Sequence, residues 1–541
     1  MSKTILEYGD YVAGAKEAFA PSASEAEFPE SVSEISENVA FPNYANPIEL
    51  YSTPLDDTAL GLGEEPTMVG WWSEQISDEN GNFENLIVLT MIADGLYTAK
   101  GVYLEFDTYT GVFPKSAEAI WYRDEEEISR GTFEIANTTA FLSNYVEFFD
   151  KIIIEFTALN MPYSRLKVHS VDYGRKFIAE GDDLKNVNIS QKFNAISAEI
   201  PISTIDFTIA PKQETDFYFS ERQPAKIFKG EELQATVFVK KANRISQNVW
   251  RVQAEDYISF LENTSFNGGI YSNKNARDLL LEISQICKVP FEIEESLSDE
   301  TVTGHIALGT CRNALMQILF AIGAVAITAK SDNVKICRLK EEQTQFVDKS
   351  RIMQGQTIVE ETRVTAVSVT SHKYVQSDNL LTAYKAEESG AGENLFVNFS
   401  EPLHTLSITN GTILESGANY AIINASVGCV LNGKKYEHLT NVKTKHNPLV
   451  LAIDSANVKS VPNATLVSDD KVDSVLERCY NYYVNKRMIE SKIVEGDIPS
   501  VIGDKIALAT EYSGDVEGVI ISQDYSLSGT GIVKRTSVRC V

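Results

Sequence analysis

The chain has 541 residues, 43% apolar and 23% charged; this is ordinary globular usage, which excludes a fibre or wholesale disorder and sets a prior of about three to four domains. It carries 48 basic and 76 acidic residues, a net charge of −28. A field of that sign repels phosphate backbones, so no sequence-specific nucleic-acid partner is expected. No run approaches the roughly 18 apolar residues of a membrane span, and the opening MSKTILEYGDYV lacks the basic start and apolar core of a secretory signal.

The charge is unevenly spread. Residues 1–150 hold 6 basic and 28 acidic residues, a net of −22, whereas the other 391 hold 42 and 48, a net of −6. Residues 1–49 are acidic and rich in Ser, Ala and Pro without a sustained period, and they read as an arm or linker. Residues 50–173 read as a β-sandwich of jelly-roll type. Short apolar runs (LIVLTMIA at 86–93, VYLEFD at 102–107, AIWYR at 119–123, KIIIEFT at 151–157) are separated by turn signals such as Asn80-Gly81 and Asp94-Gly95. Residues 174–262 are again β-rich, and the alternation in Ala235–Val239 and Val249–Ala254 fits half-buried antiparallel strands.

The character changes at 263–350, where a small α/β domain with two helix–strand units is expected. Asn275 caps a helix whose stripe is Leu279, Leu280, Ile283, Ile286 and Cys287, and Pro290 stops it. Thirty-five residues on, Thr310 caps CRNALMQILFAI and Gly323 ends it; Leu280/Leu315 and Ile283/Ile318 match at that offset. A hairpin follows through Ser331-Asp332-Asn333. Residues 351–541 form a second β-rich region with a helix at about 470–487, whose apolar face is Val472, Val475, Leu476, Cys479, Tyr483 and Val484. The fold class expected is therefore mainly β with a small α/β domain.

Chemistry is scarce. HExxH, GxSxG, P-loop and EF-hand patterns are all missing. Asp78-Glu79-Asn80-Gly81-Asn82 is the nearest calcium-like string, but its glycine comes too early, and a hairpin turn is the expectation. Gly61-Leu62-Gly63 reads as a loop. Paired carboxylates at Asp124 to Glu127, Asp182-Asp183 and Glu387-Glu388 are candidates for glycosidase work only as any acidic loop is. The histidines His169, His305, His372, His404, His438 and His446 are scattered, with no Ser, Cys or metal partner at motif spacing. Cys287, Cys311, Cys337, Cys429, Cys479 and Cys540 include no CxxC pair and are expected as reduced structural thiols. Trp71-Trp72 and Trp121-Tyr122 could stack on sugar faces, but adjacent residues of a strand point to opposite sides, so at most one of each pair can. No catalytic residue, metal or cofactor is expected.

Tyr257-Ile-Ser-Phe-Leu-Glu-Asn-Thr-Ser-Phe-Asn-Gly-Gly-Ile-Tyr, running into Asn275-Ala-Arg-Asp-Leu-Leu, resembles a passage of tail hub proteins of phages and phage-tail-like particles, the contractile-tail hubs of late control protein D type. There a barrel strand is followed by F-x-G-G-x-Y and a helix of a small α/β domain. Gly503-Asp504-Lys505-Ile506, Gly514-Asp515-Val516-Glu517-Gly518 and Tyr525-Ser-Leu-Ser-Gly529 resemble the last barrel of such hubs, and the likeness covers about 174–541. Asp150-Lys-Ile-Ile-Ile-Glu-Phe with Pro162-Tyr163-Ser-Arg165-Leu-Lys more distantly resembles a galactose-binding-like sandwich.

The resemblance implies two tail-tube-like barrels, 174–262 and 351–541, and a homotrimeric ring joining a sixfold tail tube to a threefold spike. It further implies tube or tube-initiator, spike and other baseplate proteins as partners, and a place in the baseplate of a virion or tail-like particle assembled in the bacterial cytoplasm. Close packing of three strongly acidic modules is costly, so 1–173 is expected outside the ring. The alternative is a glycan-binding cell-surface or tail-tip protein, with or without wall-hydrolase activity, using 50–173 for the glycan contact.

Overall fold

The computed structural model describes residues 3–11, 19–23, 71–107, 110–211, 223–339, 345–386, 392–450, 456–484, 487–494, 500–511, 514–527 and 532–540. Most of the 1–49 arm, Gly61-Leu62-Gly63 and Glu387-Glu388 lie outside them. The chain is mainly β and falls into two compact units. One comprises 7–178 with 217–224; the other comprises 1–6, 179–216 and 225–541.

In the smaller unit, besides the part from Glu7 of an N-terminal strand Thr4–Tyr11, lie β1 (Phe19–Ala23), β2 (Trp71–Trp72), β3 (Asn82–Phe106), β4 (Ser116–Arg123), β5 (Glu126–Glu134), β6 (Thr139–Ala158) and β7 (Lys167–Glu180, in this unit up to Ile178). All pairs are antiparallel: β3 with β6, β7 and β1, β4 with β5 and β6, and β2 with β7. Alternate residues fill the core, with Ile87, Leu89 and Met91 from β3 against Ile152, Ile154 and Phe156 from β6. Asp94-Gly95, read as a turn between two strands, instead lies inside the single 25-residue β3. Ile92 pairs with Lys151 and Tyr97 with Phe149. The intervening residues therefore bulge out, and the strand bends without reversing. At the margin of this core Lys167 donates to Asp107 at 2.6 Å, with side chains only 11% and 6% exposed. Burial alone would raise the Asp107 carboxyl, but the Lys167 ammonium and Thr110 outweigh it and hold it low.

The larger unit opens with β8 (Leu184–Lys192), β9 (Thr204–Ile209), β10 (Glu232–Ser246) and β11 (Val249–Glu255), in the spatial order β10–β11–β9–β8. A helical part follows: α1 (Ile258–Asn263), β12 (Ser265–Phe266), β13 (Gly269–Asn275), α2 (Ala276–Cys287), β14 (Phe291–Ile293), β15 (Thr301–Ile306), β16 (Gly309–Thr310), α3 (Cys311–Ile322), β17 (Val325–Ile327) and β18 (Val334–Cys337). Asn275 caps α2 by accepting from the Arg277 N–H, and Thr310 caps α3 by accepting from that of Asn313. Leu279, Leu280 and Ile283 of α2 pack against Leu315, Ile318 and Leu319 of α3, all fully buried. The two helix–strand units thus share one core.

After β19 (Gln345–Val347) and β20 (Thr357–Glu360) comes a second sheet of β21 (Ala366–Lys385), β22 (Gly392–Asn398), β23 (Leu403–Ser416), β24 (Tyr420–His446) and β25 (Val458–Val461). The 27-residue β24 pairs with β21, β22 and β23. Helix α4 (Val472–Val484) lies on this sheet with Val472, Val475, Leu476 and Cys479 buried. Lys443 and Lys445 of β24 reach Asp473 and Glu477 of the helix. Removing buried Leu methyls costs about 2–5 kcal/mol, whereas an exposed ion pair is worth about 0–1 kcal/mol. Leu476→Ala should therefore lower the thermal midpoint by several times as much as Glu477→Ala; equal shifts would put the helix on the wrong face.

The chain then returns. Of β26 (Arg487–Val494), β27 (Lys505–Leu508), β28 (Val516–Ser526) and β29 (Val533–Cys540), β28 pairs with β8, matching Ser522 to Lys192 and Ser526 to Asn188. β29 and β26 continue beyond β28, and β27 also pairs with it. Strands from 184–255 and 487–540 thus lie in one sheet. Boundaries drawn along the sequence do not reveal this, because alternation marks a strand and not its partner.

Candidate functional site

The calcium-like string is a closed turn. Asp78 accepts from the backbone N–H groups of Asn80 and Asn82 at 2.8 and 2.7 Å, and Lys115 donates to the Asn80 carbonyl. These backbone donors, Asn82 foremost, hold the Asp78 carboxyl low. Its oxygens are engaged by the turn itself.

Asp124 and Glu125, both at positive φ (49° and 65°), make the two-residue turn between β4 and β5, the geometry a tight hairpin favours. Glu125 pairs with Lys151, and Glu127 with Arg130. Asp182-Asp183 sits in a single 3₁₀ turn before β8. Arg130 also pairs with Glu118, so Glu118 and Glu127 share one guanidinium.

Trp71 and Trp121 point into the core of the smaller unit, 1% and 0% exposed, and cannot stack on a sugar. Tyr122 turns outward beneath Lys151, and the Trp72 side chain lies outside the described residues. The exposed aromatic residues are others. Phe148, at φ 55°, sits on a bulge of β6 with Tyr145 beside it, 54% and 62% exposed. Arg123 fixes that bulge by donating to the carbonyls of Glu147 and Phe148. Reading runs of apolar residues missed them, since neither belongs to a core pattern.

In the larger unit an open groove of about 600 Å³ crosses the closing sheet, bordered by Ser190, Asp206, Lys492, Asp524, Tyr525 and Arg535. Its charges are of both signs, and Asp524 already accepts from Ser190 at 2.6 Å. Among the described residues no group of three or more His, Cys, Asp and Glu side chains could hold a metal ion. The six cysteines form no disulfide; Cys337 is half-buried and the others are buried.

Among the described residues Asp256 is a strongly displaced carboxyl that the sequence did not suggest. It is 3% exposed, accepts from Thr328 at 2.7 Å and caps the Ile258 N–H. Burial pushes its carboxyl up to about 6. The folded state then holds the proton more tightly than the unfolded chain. The stability this supplies is complete below about pH 4 and is lost as pH rises through about 6, a change of order 3 kcal/mol. Asp256→Asn should flatten that part of the stability profile in urea unfolding between pH 4.5 and 7. An unchanged slope would assign it to other groups.

Three histidines that the sequence leaves far apart converge. His372 and His438 share an N–H···N bond at 2.9 Å, Tyr374 stacks on His438, and His305 meets Tyr374 edge-on.

No family model matches this chain, and no curated protein does. Solved structures are similar to it in fold at low identity. They include the 43 kDa tail protein of prophage MuSo2 from Shewanella oneidensis (TM-score 0.41, 11% identity, covering 67% of this chain and 94% of that one). A tail protein from Neisseria meningitidis gives 0.41 and 10%, covering 67% and 93%. Prophage tail protein gp18 from Listeria monocytogenes gives 0.38 and 10%, covering 66% and 91%. All three are described as tail proteins.

Proposed function

We propose that this chain is a non-enzymatic structural hub of a phage tail or phage-tail-like particle. Three copies form a ring that joins a sixfold tube to a threefold spike, with tube, spike and other baseplate proteins as partners. Residues 174–541 supply the ring, in two β-rich regions flanking the helical part.

The observation that carries this reading is the position of the motif behind the resemblance. Phe266 is buried in the α2–α3 core, 2% exposed, and Gly268 adopts φ 62° where a Cβ would meet the Ile306 carbonyl at 2.1 Å. Asn419, beside β24, donates to the carbonyls of Asn267 and Ile306. The motif is thus a fastening between the helical part and the second sheet, a mechanical role and not a catalytic one.

A second reading, glycan contact by 50–173, is favoured by the exposed Tyr145, Phe148 and Tyr163. The test is the mass of the full chain in solution followed by electron microscopy. A 60.0 kDa chain in a trimer gives roughly 180 kDa and a threefold ring with an axial hole. A monomer that binds peptidoglycan and releases sugars or peptides from it would overturn the hub reading.

A further inference from the structure

Four of the six histidines gather on one face of the second sheet. On β24, Tyr436 and His438 share a side, and the register sets Tyr374 of β21 opposite His438, with His372 one diagonal away opposite Thr440. Cross-strand neighbours of this kind are in contact. Tyr374 and His438 lie parallel with centroids 4.4 Å apart, and His372 stacks on His438 with centroids 5.1 Å apart and 14° between the ring planes. His404 of β23 packs on Tyr436. His305 of β15 lies over the same face, against Tyr374, and donates through Nε2 to Asn419 at 2.7 Å. The rings therefore bridge two substructures, the helical part and the long-stranded sheet.

The charged groups around them are few. Lys434, paired with Asp378, shares the histidine face near His404. Lys373 and Glu437 alternate to the other face, as do Lys443 and Lys445, which α4 engages through Asp473 and Glu477. Asp469 is taken by Ser371. Against His305 and His372 the recorded neighbours are Asn419, the Pro462 carbonyl and His438, with no carboxylate among them.

We propose that this histidine face is an acid-sensitive joint: once acid leaves neither ring of the His372–His438 pair with a nitrogen free of a proton, their bond is lost and β15 loosens from β21 and β24. The bond needs one nitrogen without a proton, and two imidazolium rings present N–H to N–H. Burial, and then the proximity of His438, lower the proton affinity of His372; His305 is lowered by burial first, against the help of Asn419. A depressed histidine contributes stability that is complete above the unfolded value and is lost as pH falls through the folded one. Asp256 works in the opposite direction over the same range, so a global midpoint mixes the two and a local readout is required.

The experiment is hydrogen exchange of the full chain at pH 7.5 and 5.5, corrected for intrinsic rates, read at 301–306, 370–376 and 436–440. Acid should raise exchange there by about fivefold or more, the equivalent of about 1 kcal/mol, with no comparable rise in the sandwich. His438→Phe keeps an aromatic ring against Tyr374 but removes the nitrogen bonded to His372, and should abolish the rise. Where that variant is already loosened at pH 7.5, His305→Gln, which retains a donor for Asn419, should at least halve it. An unchanged wild-type pattern, or variants that keep the full acid response, would overturn the proposal.

Discussion

Lys167→Met is expected to destabilise the smaller unit by about 3–5 kcal/mol, the loss that follows when one partner of a buried ion pair is removed and the other charge is left behind. Asp107 would keep Thr110, whose N–H and hydroxyl both donate to it, but no cation at Lys167's place, and its side chain is only 6% exposed. Urea unfolding followed through the fluorescence of the core residues Trp71 and Trp121 reads this directly. The companion Lys167→Met/Asp107→Leu should recover much of the loss, because two apolar groups need no mutual compensation. A loss below about 1 kcal/mol for the single variant would equate the pair with a surface bridge.

Gly268→Ala is the second large effect. Positive φ alone costs a non-glycine residue about 1–2 kcal/mol. The added Cβ would also stand 2.1 Å from the Ile306 carbonyl and 2.9 Å from both the Ala307 carbonyl and Asn419 Nδ2. Backbone must therefore move, and overpacking of this kind costs about 1–3 kcal/mol more. The expected loss is roughly 2–5 kcal/mol, with selective loosening where β15 meets Asn419. Gly111→Ala, also at positive φ but with nothing near its Cβ position, should cost only the strain. Similar losses for both would remove the close-approach argument.

Helices α2, α3 and α4 were legible because their signals are local. Helix α1, by contrast, falls at the end of 174–262, which read as β-rich, and Ile286, read into the α2 stripe, is 44% exposed. The caps Asn275, Thr310 and Gly323 stand where the residues alone put them, and the stripe from Val472 to Cys479 is the buried one. The end of α2 was only partly readable: Pro290 marks the stop, but the turn is made by Lys288 in the left-handed region at φ 53°, where glycine or asparagine is usual. Strands were legible as strands and not as lengths. Asp94-Gly95 looks like a hairpin turn, and only cross-strand register reveals a bulge in a continuous strand.

The histidine face was illegible for a related reason. His372 and His438 are 66 positions apart, and what unites them is the pairing of β21 with β24, which composition and period do not encode. The parity argument for Trp121-Tyr122 did survive, because it depends only on alternation within one strand: one ring points in and its neighbour out.

The pairing of β8 with β28 bears on how the chain acquires its structure. Ser190 meets Asp524 across 334 positions, so the contact order of this sheet is high, and loop closure must precede the reward of pairing. During synthesis β8 emerges long before β28 and presents an unpaired edge through most of translation, the condition in which strands join the wrong neighbour. The helical part, whose contacts between 258 and 337 are comparatively local, can form meanwhile. Completion of this sheet is thereby tied to the arrival of residues 487–540, and a chain that stalls short of them leaves β8 open along one edge.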